Sequence, residues 1–152
     1  MHRYLLTCGV AVAFLSGASG ARAADAAQME VNKKNVAAFY DAALNRKDFD
    51  AASKYLGAGY KQHNPLAKDG PEGLRGFIAF LKDKFPNNRS EIKRIFADGD
   101  YVIVHVHAVR EPGTRGNAII DIFRLDSAGK VVEHWDAVQP IPETALNDNG
   151  MF

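Results

Sequence analysis

Residues 121–136 read "DIFRLDSAGKVVEHWD". Strand-forming residues run as far as Leu125, the turn formers Asp126-Ser127-Ala128-Gly129 interrupt, and a second such run begins at Lys130. A strand run on each side of a short polar break specifies a β-hairpin. The hairpin sets a carboxylate, Asp121, between Ile120 and Ile122, and answers it on the returning strand with His134 and Asp136. Burying an unpaired carboxylate costs several kcal/mol, roughly the whole stability margin of a small domain, so Asp121 is either held by a partner or used. Pairing Leu125 with Lys130 places Phe123 opposite Val132, Asp121 opposite His134 and Ile119 opposite Asp136. One face then carries Asn117, Ile119, Asp121, Phe123, Val132, His134, Asp136 and Val138, whereas a slip of one residue would exchange His134 and Asp136 for Glu133, Trp135 and Ala137. Among such large apolar neighbours, Asp121 and His134 form a satisfied buried pair or the polar end of a pocket. On a wet face they would be an ion pair worth only about 0.2–1 kcal/mol.

Such runs extend upstream. Ser90–Ala97, Tyr101–Arg110, Gly116–Leu125 and Lys130–Gln139 are rich in β-branched and aromatic residues, and Asp98-Gly99 marks a tight turn between the first two. Before Asn88 the period is 3.6. Val36, Phe39, Tyr40, Ala43 and Leu44 form one stripe of a helix over about Met29–Arg46. Asp48 can cap a short second helix carrying Phe49, Ala52 and Leu56, and Gly70-Pro71 opens a third whose face is Leu74, Phe77, Ile78 and Leu81. A short aromatic strand at Gly59-Tyr60 stands between them. Helices followed by hairpin-linked strands give an α+β domain: a curved antiparallel sheet with three N-terminal helices over one face. The domain covers residues 29–140, and residues 141–152, with Pro142, Asn147, Asn149 and Gly150, read as a loose tail.

At 152 residues, 47% hydrophobic and 24% charged, the chain suits a single core. Met1-His2-Arg3, the apolar run Tyr4–Leu15 and the small-x-small triplet Ala21-Arg22-Ala23 read together as a secretory signal peptide over residues 1–23. The run is shorter than the roughly 20 residues a membrane span needs, so the mature chain is expected in a periplasm or secreted, without stable membrane insertion. Cleavage would remove Arg3 and Arg22 and no acid, turning the formal charge from +1 to −1 and leaving no basic excess for nucleic acid. The single cysteine, Cys8, falls inside the signal, which excludes disulfide and thiolate chemistry in the product. Leu5-Leu6-Thr7-Cys8 has the letters of a lipidation box but precedes the apolar run instead of following it.

Two further groups could attend Asp121. His105 and His107 share a strand face with Tyr101, Ile103 and Val109, opposite Val102, Val104, Val106 and Ala108; their i, i+2 spacing is a weak metal-ligand pattern and a source of proton acceptors. Gln62-His63-Asn64-Pro65 reads as a turn after the short strand. Taken together, "FYDAALNRKDFD", "YKQHNP", "ADGDYVIVHVH" and "DIFRLDSAGKVVEHWDAVQ" resemble the SnoaL-like polyketide cyclase group of the NTF2-like superfamily, over about Val36 to Gln139. The resemblance implies an NTF2-like cone whose curved sheet wraps a deep apolar cavity, commonly in a homodimer. It also implies an intramolecular aldol condensation run without metal or cofactor by an aspartate beside histidine and amide donors.

The matching aspartate is Asp121, with His107 or His63 as its partner base. Tyr40, Asn64, His134, Trp135, Phe123 and Asp136 are the expected contacts of a small apolar carbonyl substrate, Trp135 facing either the cavity or a dimer partner. Ketosteroid isomerase is a more distant resemblance. "YDAALN" and "IDIFRLDSAGKVV" are similar to the stretches carrying its oxyanion-hole tyrosine and protonated aspartate, which match Tyr40 and Asp121, while its base matches Asn64, which takes no proton. The rival expectation is a non-catalytic periplasmic module that binds a small ligand or dimerises.

Overall fold

The computed structural model describes residues 17–152, with side chains from Asp25 onward, so most of the expected signal lies outside the described residues. Its elements are α1 (Gly17–Tyr40), α2 (Phe49–Ser53), β1 (Leu56–Gln62), α3 (Gly70–Lys84), β2 (Arg89–Asp98), β3 (Tyr101–Val109), β4 (Asn117–Leu125) and β5 (Val131–Pro140). Among the described residues no helix is long and apolar enough to cross a membrane. α1 begins well ahead of the expected Met29 because the alanine-rich stretch before it has helix propensity without an apolar period to reveal it. Val36, Phe39, Tyr40 and Ala43 are buried as the stripe requires. The helix ends in a π-turn, Asp41–Asn45, in which the Arg46 N–H reaches the Asp41 carbonyl at 2.9 Å. Asn45 then clamps the start of β2, its Nδ2 donating to the Ser90 carbonyl at 3.0 Å and its Oδ1 accepting from the Ser90 N–H at 2.8 Å.

Asp48 caps α2 by accepting from the Ala51 N–H at 2.9 Å. Asp48→Ala is expected to cost about 1 kcal/mol, read as a lower urea midpoint at an unchanged slope.

The five strands lie in the order β1-β5-β4-β3-β2. β2 through β5 form an antiparallel meander, as the alternation implies, but β1 runs parallel to β5. The sheet is therefore mixed: the meander leaves the outer edge of β5 free, and β1, joined by helices at both ends and not by a hairpin, fills it.

The β4–β5 register differs from the expected one by two residues. Asp121 faces Asp136, Phe123 faces His134 and Ile119 faces Val138. The cause lies in the turn. Asp126 Oδ1 accepts from the N–H groups of Ala128 and Lys130, both at 2.9 Å, and the Asp126 N–H donates to the Lys130 carbonyl at 2.8 Å. This holds Lys130 inside the loop, with Gly129 at φ 71°, so Leu125 pairs with Val131 and Val132 is skipped as a bulge. An even shift preserves faces. His134 and Asp136 remain beside Asp121, and the fully buried Val131 takes the core position expected of Val132.

The helices cover the sheet face carrying Val102, Val104, Val106, Phe123 and Leu125, all buried. The tail, residues 141–152, has no helix or strand, but its end returns to the opposite, outer face. There the Phe152 ring lies 5.1 Å from that of His105 and 4.8 Å from that of His107.

Candidate functional site

A cavity of about 690 Å³ opens between the helices and the inner face of the sheet. Its walls are largely apolar, with Phe39, Leu74, Phe77, Phe80, Ile119 and Phe123 among them, and one end is polar. At that end Asp121, 4% exposed, receives the Tyr40 O–H on Oδ2 at 3.0 Å and meets His134 Nε2 through Oδ1 at 2.9 Å. His134 Nδ1 lies 2.9 Å from Gln62 Oε1, which also accepts the Asn64 backbone N–H at 2.9 Å. Gln62 Nε2 donates to the Tyr60 hydroxyl at 3.1 Å. Asp136, half-buried, is held by Asn64 Nδ2 at 2.7 and 2.8 Å.

These bonds fix where the protons are. A backbone N–H can only donate, so the Gln62 oxygen must face Asn64, and His134 Nδ1 must therefore carry a hydrogen to share that oxygen. Between His134 Nε2 and Asp121 Oδ1 there is then room for a single proton. It rests on the imidazole as a charged pair, or on the carboxyl as a neutral one.

Tyr40 does not compete for that proton. Burial first, then the charge of Asp121, the hydrogen bond to it and the charge of Asp136 push its phenol well above the ordinary value. The Tyr60 phenol is pushed up as well, again first by burial.

The structure brings Tyr40, Asn64, Asp121, Phe123, His134 and Asp136 around one cavity and sets the remaining candidates apart from it. His107 lies on the outer face, opposite Ala118, where Nε2 donates to the Arg115 carbonyl at 2.8 Å, so it cannot serve as partner base to Asp121. His105 shares that face, Nδ1 taking a hydrogen bond from Arg94 at 3.1 Å. His63 is likewise outside: it stacks on Trp135 at 4.6 Å with the rings 5° from parallel, and its Nε2 donates to Glu133 at 2.9 Å. Hydrogen bonds from His63 and Arg124 hold the Glu133 carboxyl below its usual range. Trp135 accordingly faces away from the cavity and is not a substrate contact within it. These corrections have one cause, the period of two: His107 and Trp135 are an odd step along their strands from cavity-facing neighbours, and His63 is one step beyond Gln62 at the end of β1.

Asp121, His134 and Asp136 each bring one ligand atom within 4.8 Å of the others, a set a divalent cation could take. Here those atoms are engaged with one another, with Tyr40 and with Asn64. His105 and His107 take no part in that group.

The family model described as SnoaL-like domain matches residues 36–134, about two thirds of the sequence. The chain belongs to the SnoaL-like family. This SnoaL-like protein has the NTF2-like α+β fold. Among solved structures it is similar to a Bacillus cereus protein described as a polyketide cyclase (TM-score 0.61, 20% identity, 71% of this chain and 74% of that one). It is also similar to a SnoaL-like protein of Burkholderia thailandensis (0.61, 16%, 72% and 96%). AclR of Streptomyces galilaeus, described as a hydroxylase, is comparable (0.60, 20%, 74% and 81%). At such identities the likeness is one of fold. No curated protein matches the sequence.

Sequence reasoning passed over Gln62 and Tyr60, which orient the SnoaL-like protein's imidazole. A signal for both exists: Tyr60, Gln62 and Asn64 are spaced by two, so an extended segment puts all three on one face and His63 on the other.

Proposed function

We propose that this SnoaL-like protein performs acid/base chemistry on a small carbonyl compound held in the cavity, enolising it and, where a second carbonyl is in reach, closing an aldol bond. The supporting observation is the meeting of two carboxylates and an imidazole at one end of a largely apolar cavity. Asp136, the less buried carboxylate, takes the proton from the carbon beside the carbonyl. The electrons of that C–H bond move into the carbonyl, and the enolate oxygen is held by the hydrogen shared between Asp121 and His134. In the aldol branch the enolate carbon attacks the second carbonyl carbon, the new alkoxide takes the shared proton, and the proton on Asp136 replaces it. Tyr40 remains protonated throughout and steadies Asp121 Oδ2.

The reading is tested in deuterated buffer with a panel of small open-chain and cyclic ketones, following loss of the α-proton signal by NMR. Exchange well above that of matched free imidazole and acetate is expected. Ligand binding with no such exchange would favour a carrier.

We propose further that the protein is exported after cleavage behind Ala23, and that it forms a homodimer. Support for the dimer comes from the outer sheet face, where Phe96, Ile103, Ile122 and Trp135 stand in lateral register across four strands and Phe96 is 56% exposed. Phe96→Glu is expected to halve the mass seen by light scattering while leaving the melt unchanged; a monomeric wild-type protein would refute the dimer.

A further inference from the structure

We propose that the ligand carries a carboxylate at the cavity end remote from Asp121, so that the substrate class is an oxo-acid and not a neutral ketone. The oxo half of this rests on the acid/base reading above; the anionic half rests on the cavity alone. Arg89 and Arg110 both line the cavity. The sheet register gives their place. On β3, Val104 is the partner of Asp121 and Val109 is the partner of Arg89, with Arg110 next in the chain. Five residues of strand separate the two levels, about 17 Å at roughly 3.3 Å per residue. Arg89 and Arg110 are both exposed, so the carboxylates lie at one end of the cavity and these two arginines at its far rim.

Neither arginine is tied up by an acid. Arg46, Arg75 and Arg124 each hold a carboxylate, at 2.7, 3.2 and 2.6 Å, whereas among the described residues Arg89 and Arg110, like Arg94 and Arg115, hold none. Arg110 lies over the Phe85 ring, 5.6 Å from its centroid, a contact that leaves its N–H fork open.

A second observation marks the same end. Asn88, 9% exposed and lining the cavity, donates through Nδ2 to the Leu44 carbonyl at 3.0 Å, while its buried Oδ1 has no partner. A buried acceptor left unmet is costly, and a donor brought to this end on binding would satisfy it. Drawing a guanidinium inward onto a ligand carboxylate brings N–H donors to this end. A ligand anion could not reverse its orientation, because Asp121 and Asp136 would repel it at the other end.

The test compares octanoate with octanol by titration calorimetry. The wild-type protein is expected to bind octanoate at least about tenfold more tightly, the factor that a charge-assisted contact supplies. In R89Q/R110Q the preference should vanish while octanol affinity stays within about twofold, and K82Q, at an exposed position of α3, should keep it. Equal affinities in the wild type, no binding of octanoate, a preference that survives in R89Q/R110Q, or the same loss in K82Q would each overturn the proposal. The acid/base reading fails separately: absent α-proton exchange with the carboxylate preference intact would remove enolisation and leave the anion site standing.

Discussion

Asparagine at position 121 is expected to lower α-proton exchange by about 10³-fold or more in a protein that still folds. The substitution changes few contacts. The amide oxygen can accept the Tyr40 O–H as Oδ2 does, and the amide N–H₂ can donate to His134 Nε2, which is free to act as acceptor because Nδ1 already carries the hydrogen given to Gln62. No buried polar atom loses its partner, so the melt should stay within a few degrees. What disappears is the mobile proton: the imidazole is fixed in one neutral tautomer, and the amide neither gives nor takes a proton in the working range. Nitrogen-15 NMR of His134 should show that tautomer, with the hydrogen on Nδ1. Asp121→Ala is the contrasting case, since it strands both the Tyr40 hydroxyl and His134 Nε2 and should destabilise by about 2–4 kcal/mol. Wild-type exchange rates in Asp121→Asn would remove the shared proton from the mechanism.

Much of this site follows from parity. Val102, Val104, Val106 and Ala108 form an unbroken apolar set, which is what a core-facing side of a strand looks like, and that alternation by itself assigns His105 and His107 to the outer face. The expectation that His107 or His63 attends Asp121 did not apply that period across the sheet, and the period was the better guide. Parity also kept Asp121, His134 and Asp136 together although the hairpin register moved by two residues. The register itself was not legible, because it is decided by hydrogen bonds of the Asp126 side chain inside the loop and not by the strands. The parallel partner of β5 was hidden for a similar reason: the sequence shows a short strand at Gly59-Tyr60, with Leu56 read into the helix before it, but not which edge the strand fills. Arg89, Arg110 and Asn88 reach the cavity only once the ends of β2 and β3 are brought under α3 and the π-turn, a tertiary arrangement with no local sequence pattern.

Phe123 joins the fold to the chemistry, and its removal is expected to have the largest effect on stability. The ring is 2% exposed, packs edge-on against Phe39 at 5.9 Å and Tyr40 at 6.4 Å, and stacks on the His134 imidazole at 4.7 Å. Phe123→Ala should cost about 3–5 kcal/mol, lowering the melting temperature by about 10 °C in a chain of this size. Because the residue also lines the cavity, the new void opens into existing space and admits water, which places the cost toward the lower end of that range. Phe123→Leu separates the two roles. Leucine refills most of the volume and should hold the loss to about 1–2 kcal/mol, yet it offers no flat face to the imidazole. His134 is then positioned by its two hydrogen bonds alone, and α-proton exchange is expected to fall about tenfold at a temperature where the variant is fully folded. Equal exchange rates in Phe123→Leu and wild type would show that Gln62 and Asp121 suffice to hold the ring, and would confine Phe123 to the core.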